Sequence, residues 1–284
     1  MTTDSITTSI GRLPVFHRLA LGLVVRDAVT HGSPRAPLRV GWEASGHLLT
    51  RERARLRAAG SAVGPRRDWP CVDLERTGDG RFRLRAAPAR PDALTVRVDD
   101  PTRRHAPRRI EVALWPHDRL VDEANPVPVA ARAIPLWLLP GAGYPLARGT
   151  TAIRGRVGRQ GLAVPWARVA AVDAGDPNAV LGHAHGDDRG EFLLILTTTN
   201  QNPVQSTVQV RLIVHGPAGT RHEPPVETAR QPGNAPGTPG DPDLPVLRGE
   251  LPPRTHLPHT GSAVTLTVPV GAELVHTSDI PFQP

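Results

Sequence analysis

A short pattern occurs twice in this chain: Gly80-x-Phe82-x-Leu84 follows one Asp/Gly turn, and Gly190-x-Phe192-x-Leu194 follows another. Each reads as a tight turn leading into a strand whose Phe and Leu share one face at a period of two. The surroundings match as well. An apolar strand over 19–25 corresponds to one over 152–157, and a proline-containing strand over 37–40 corresponds to one over 164–169. The first copy is longer, and its extra length holds 48–59 (LLTRERARLRAA), with Leu48, Leu49 and Leu56 near helical spacing and neither Gly nor Pro. Those residues are good helix formers and predict one short surface helix. A duplication with an insertion in the first copy accounts for the whole pattern.

Composition agrees with strands. The 284 residues include 32 Pro and 27 Gly, and each proline inside a helix loses a hydrogen bond and clashes with the preceding turn. Aromatic content is only 4 %, so aliphatic side chains must fill the cores. The length allows two domains, each large enough to bury one. The expected fold is all-β: a sandwich with a helical insertion over 1–115, a proline-rich linker over 116–149, a second sandwich over 150–216, and a Pro/Gly-rich tether ending in a strand over 217–284. That last strand, 263–268, either returns to complete a sheet or adds to a neighbouring chain.

The formal charge is +7, and all 34 basic residues are arginine. Arginine without lysine, alongside abundant Ala, Gly and Pro, is what GC-rich coding favours. The 27 acidic residues are interspersed, and the basic clusters at 51–57, 66–67 and 103–109 lack stacking aromatics or a reading motif. Nucleic acid is therefore not the expected partner. A single cysteine, Cys71, leaves no intrachain disulfide and no multi-cysteine zinc site. Residues 1–10 are polar with no basic start, and no apolar run approaches a membrane span. The expectation is a cytoplasmic protein without a membrane segment.

Residues 150–216 resemble the carboxypeptidase regulatory-like domain, a transthyretin-like Greek-key sandwich. The likeness lies in Ile153-Arg154-Gly155-Arg156-Val157, in Val164-Pro165-Trp166-Ala167-Arg168-Val169 and in Asp188-Arg189-Gly190-Glu191-Phe192. Trp166 departs from it, standing where the family usually has a small or aliphatic residue, as does the polar stretch 197–207. The first module looks like a diverged copy. The resemblance implies two such modules in an accessory, adhesive role rather than a catalytic one. In overall layout, with Tyr144-Pro145-Leu146 before the second module, the chain also resembles components encoded with phage-tail-like contractile injection systems.

The sharpest candidate for site chemistry is His183-Ala184-His185-Gly186-Asp187-Asp188. On a strand both histidines point the same way, and the carboxylates complete a metal set; read plainly, the segment is a turn whose Asp and Gly serve backbone geometry. The plain reading is preferred, so no metal, cofactor or catalytic residue is assigned. No nucleophile elbow, phosphate loop or HExxH helix occurs. Trp42, Trp137 and Trp166 are the candidate interaction anchors. The function expected is that of a non-enzymatic structural protein contacting other proteins of a larger assembly, or itself. The alternative is a carbohydrate- or cell-surface-binding protein using exposed tryptophans.

Overall fold

The computed structural model describes residues 19–44, 70–85, 91–197, 206–229 and 243–284. The helix expected over 48–59 lies outside the described residues. The chain is all-β, with four sheets paired face to face around two aliphatic cores.

The first sandwich runs through β1 (Leu19–Asp27), β2 (Arg39–Glu43), β3 (Cys71–Asp73), β4 (Glu75–Arg76), β5 (Phe82–Arg85), β6 (Ala93–Asp99), β7 (Arg108–Ala113) and β8 (Ala133–Leu138). One sheet has the order β4-β5-β1-β8, and the other contains β7-β6-β2-β3. Alternation sends Leu21, Leu23 and Val25 of β1, and Ile134, Leu136 and Leu138 of β8, into one core. The short helix α1 (His117–Val121) lies between β7 and β8.

The second sandwich repeats this topology. It runs through β9 (Ala152–Arg159), β10 (Leu162–Ala163), β11 (Arg168–Asp173), β12 (Val180–His185), β13 (Glu191–Ile195) and β14 (Thr207–Pro217). It ends with β17 (Val264–Pro269) and β18 (Glu273–Pro281). The first strand of each module pairs antiparallel with the Gly-x-Phe-x-Leu strand and parallel with the module's last strand: β1 with β5 and β8, β9 with β13 and β18. In the facing sheets, β3-β2-β6-β7 matches β12-β11-β14-β17. Phe82 sits opposite Leu23, and Phe192 opposite Gly155. Gly80 and Gly190 both hold positive φ, 79° and 72°, the left-handed conformation that each turn needs and that glycine adopts without steric cost.

The sheets draw the boundaries differently from composition. The stretch 116–149, read as a linker, carries β8, the last strand of the first sandwich. Its Pro135 is tolerated because β8 is an edge strand, where a missing amide costs no ladder bond. The stretch 217–284, read as a tether, supplies β17 and β18; of the two courses open to 263–268, it completes the chain's own sheet, paired with β14. What separates β14 from β17 is an insertion in the second copy. It contains β15 (Val226–Ala229), α2 (Leu244–Arg248) and β16 (His256–Pro258). β15 crosses to the first sandwich and lies parallel to β7, and β16 returns to β14. The insertion is a clasp across the seam between the sandwiches.

Candidate functional site

The clasp brings together three charged side chains that the chain keeps far apart. Arg108 on β7, Glu227 on β15 and Arg168 on β11 are all buried. Arg108 donates to Glu227 through one terminal nitrogen, while Arg168 Nη2 donates to the other carboxylate oxygen at 2.7 Å. Arg108 also reaches the carbonyls of Trp137 (2.8 Å), Leu247 and Val246 (both 2.6 Å). Two of those belong to the last turn of α2, whose partial negative charge suits a cation. Arg168 Nη1 reaches Trp166 O at 3.2 Å. Burial pulls the Arg168 pKa down against the pull of Glu227. One carboxylate thus joins the first sandwich, the clasp and the second sandwich.

A second buried cluster flanks the seam. His105 Nδ1 lies 3.1 Å from Asp100 and its Nε2 lies 3.3 Å from Asp27. Tyr144, of the Tyr-Pro-Leu motif, donates its hydroxyl to Asp27 at 2.8 Å. Burial raises the pKa of Asp27, but bonds from His105, Tyr144 and the amides of Val29 and Thr30 outweigh it, and the carboxyl falls to about 2. Asp100 likewise falls to about 2: bonds from His105 and Thr102 outweigh its burial. Burial opposes charge on His105 as well, and the two carboxylates overcome it, raising its pKa. Both imidazole nitrogens are engaged by carboxylates, so the ring is held as a cationic strut; a proton shuttle would need one nitrogen open. From the same loop Arg103 bridges the seam to Asp187 (3.0 Å) and Asp188 (3.1 Å). A cleft of about 240 Å³ lies there, lined among others by Arg39, Arg97, Arg103, His105, Trp166 and Asp188.

The residues singled out from sequence fall around this seam. His185, opposite Arg168 in the β11–β12 register, is buried with Nε2 at 2.9 Å from Gly249 O. Burial, then Arg168 and Arg108, push its pKa well down. His183 is half-buried on the same strand, with its pKa lowered by burial. Asp187 Oδ1 accepts the amides of Arg189 (2.8 Å) and Glu191 (3.0 Å), which is the turn chemistry of a capping aspartate. Among the described residues no three His, Cys, Asp or Glu are grouped to hold a metal ion. Cys71 is buried, and burial raises its thiol to about 12.

Trp166 is only 6 % exposed and has φ 63°, so it is a seam residue and not a surface anchor. Trp42 packs half-buried against the first core. Trp137 is half-buried too, and the guanidiniums of Arg26 and Arg248 lie 5.8 and 5.7 Å from its ring centroid. The sequence assigns no site role to Arg108, Glu227, Arg168, His105 or Tyr144, although Arg168 and Tyr144 stand in segments that carry the resemblances. Arg108 stood inside a basic cluster, and Glu227 in a stretch that composition marked as tether. Val226-Glu227-Thr228-Ala229 does not alternate between apolar and polar residues, so no local pattern marks it as a strand.

Fold and seam together define an all-β protein of two repeated sandwiches tied by a clasp. No family model matches the chain, and no curated protein does. Among solved structures it is similar to a streptococcal ancillary pilin at 10 % identity and a TM-score of 0.23, over 76 % of this chain and 62 % of the pilin. It is also similar to a leucine-rich repeat protein from Bacteroides thetaiotaomicron at 8 % identity and a TM-score of 0.22, over 94 % of this chain and 26 % of that one. The chain thus spans less than two thirds of either, and likeness at these scores carries no argument. No helix among the described residues is long and apolar enough to cross a membrane.

Proposed function

We propose that this chain is a non-enzymatic structural protein that joins other proteins in a larger assembly, its modules being of the carboxypeptidase regulatory-like kind and the assembly a phage-tail-like contractile injection particle in the cytoplasm. The observation that carries the reading is the clasp. A segment of the second sandwich adds a strand to the first, and the buried Arg108–Glu227–Arg168 bridge fixes the two relative to one another. Such a connection makes a rigid spacer, which is what an assembly component needs and a freely hinged pair of modules is not. The shared pairing of the main strands in both modules, β5-β1-β8 with β3-β2-β6-β7 and β13-β9-β18 with β12-β11-β14-β17, supports a duplicated accessory fold.

Trp137 favours protein contacts over sugar. A sugar ring stacks on an open indole face, whereas this indole is engaged by two guanidiniums, and Trp and Arg are the types that dominate protein–protein hot spots. Fractionation by size of a native lysate that expresses the tagged chain tests the reading. The chain is expected in the fraction of large particles, together with fixed partners. Recovery solely as free chain in every fraction sinks it.

A further inference from the structure

Edge strands invite pairing with other chains, and natural sheets blunt them with charge, proline, bulges or brevity. The described edges show those devices. β4 is two charged residues, β3 is three residues ending in Asp73, and β8 carries Pro135. β18 has a register break between Val275 and Asp279, and its Glu273 and Asp279 pair with Arg154 and Arg156. β7 would be a regular, open edge, and β15 covers it.

β17 holds in the second sandwich the place that β7 holds in the first, and its one such device is the proline that ends it, Pro269, outside the five residues before it. Its register with β14 is unbroken from Val264 to Pro269, and none of its residues is charged. Val270 N–H bonds Ser206 O, so by antiparallel alternation the even-numbered residues turn their amides to β14, and Thr265 and Thr267 turn theirs outward. Thr265 and Thr267 are exposed, while Val264 and Leu266 are half-buried at the margin of the core.

The strand is also a palindrome. Val264-Thr265-Leu266-Thr267-Val268 reads the same from either end. We propose that β17 is a dimerisation edge, pairing antiparallel with β17 of a second copy about a two-fold axis through Leu266. Thr265 then faces Thr267 of the other copy, the outward amides and carbonyls of these two residues meet as hydrogen-bonded pairs, and Val264 faces Val268 on the core side. Threonine pairs across strands are favourable, and because a two-fold contact sets residue i against j and j against i, the palindrome pairs only like with like. The join makes one continuous sheet from the two second sandwiches and covers the margins of Leu266 and Val264. A strand from a different protein, added in parallel as β15 is to β7, is the competing occupant.

The inference rests on the assembly reading for its purpose, and its test is separate from the test of that reading. Light scattering of the purified full-length chain is expected to show the mass doubling as concentration rises into the high micromolar range. Thr265→Arg with Thr267→Arg sets like charges opposite each other at two exposed positions and is expected to abolish doubling while the circular dichroism spectrum stays unchanged. Thr265→Pro with Thr267→Pro, which removes only outward amides, serves the same purpose by a second route. In a Cys71→Ser background, Leu266→Cys is expected to cross-link two copies on mild oxidation, and Val275→Cys is not. A chain that stays monomeric throughout, or a dimer that both double variants leave intact, overturns the proposal. In either case co-purification with particles is still free to succeed or fail.

Discussion

Glu227 is the residue on which the seam turns. It pairs with two guanidiniums that are otherwise out of reach of water, balancing the charge of one, and neither has another carboxylate partner among the described residues. A buried ion pair is weak evidence for stability, because desolvation offsets its attraction, but breaking one leaves an uncompensated charge and costs about 3–5 kcal/mol. Glu227→Gln keeps the shape and removes the charge. We expect it to lower the urea midpoint by an amount equivalent to that cost. A change under about 1 kcal/mol, of the size seen for exposed pairs, would show that water reaches the arginines. None of this was legible in the sequence, since Arg108, Arg168 and Glu227 stand in three segments and only the clasp's path makes them neighbours.

At the scale of elements, the repeat was legible and its ends were not. Turn chemistry and period-two alternation at Gly80–Leu84 and Gly190–Leu194 are local properties, so they mark β5 and β13 directly. β8 and β18 are recognised by their parallel pairing with β1 and β9, which no local pattern reports. The apolar stretch 134–140, with its prolines, reads equally as a strand or as an extended segment packed between the modules, and polar residues at 276–279 make β18 look unlike a strand. The far end of β18 is nevertheless firmly held: Ile280 and Phe282 are fully buried. The Phe282 ring lies over Gly216, where an added Cβ would sit 2.9 Å from the ring carbons. Phe282→Ala leaves a cavity there, and large-to-small changes of this kind cost about 3–5 kcal/mol. Hydrogen exchange should find the amides of β18 and of its partner β9 losing protection ahead of those in the first sandwich. Uniform loss over both sandwiches would mean that the clasp makes them one cooperative unit.

For the molecule as a whole, histidines set the pH response. His256 is buried with Nε2 bonded to Trp166 O, and burial lowers its pKa to about 4, while His185 lies well below its ordinary 6.5. Below pH 6.5 the unfolded chain takes up protons that these two refuse, so stability is lost as pH falls from there through about 4. His105 works in the opposite direction. Its raised pKa gives stability that is complete below 6.5 and disappears as pH rises through the folded value. The carboxylates Asp27 and Asp100, lowered to about 2, add a further loss at the acid extreme, below their ordinary 3.8. The melting temperature is therefore expected to peak near pH 6.5, and His105→Gln to flatten the limb just above it and, because His105 also holds Asp27 and Asp100 low, to soften the loss at the acid extreme. A profile flat across both limbs, or an alkaline limb unchanged in His105→Gln, would remove His105 from this role.

The parallel pairing of first and last strands has a mechanical consequence. A module pulled at the start of β9 and the end of β18 is loaded lengthwise along two neighbouring strands, so their hydrogen bonds must give way together in shear rather than unzip one after another. The same holds for β1 and β8. Tension along the chain therefore meets the stiffest arrangement that each sandwich offers, and β15, laid across the seam, resists the parting of the two.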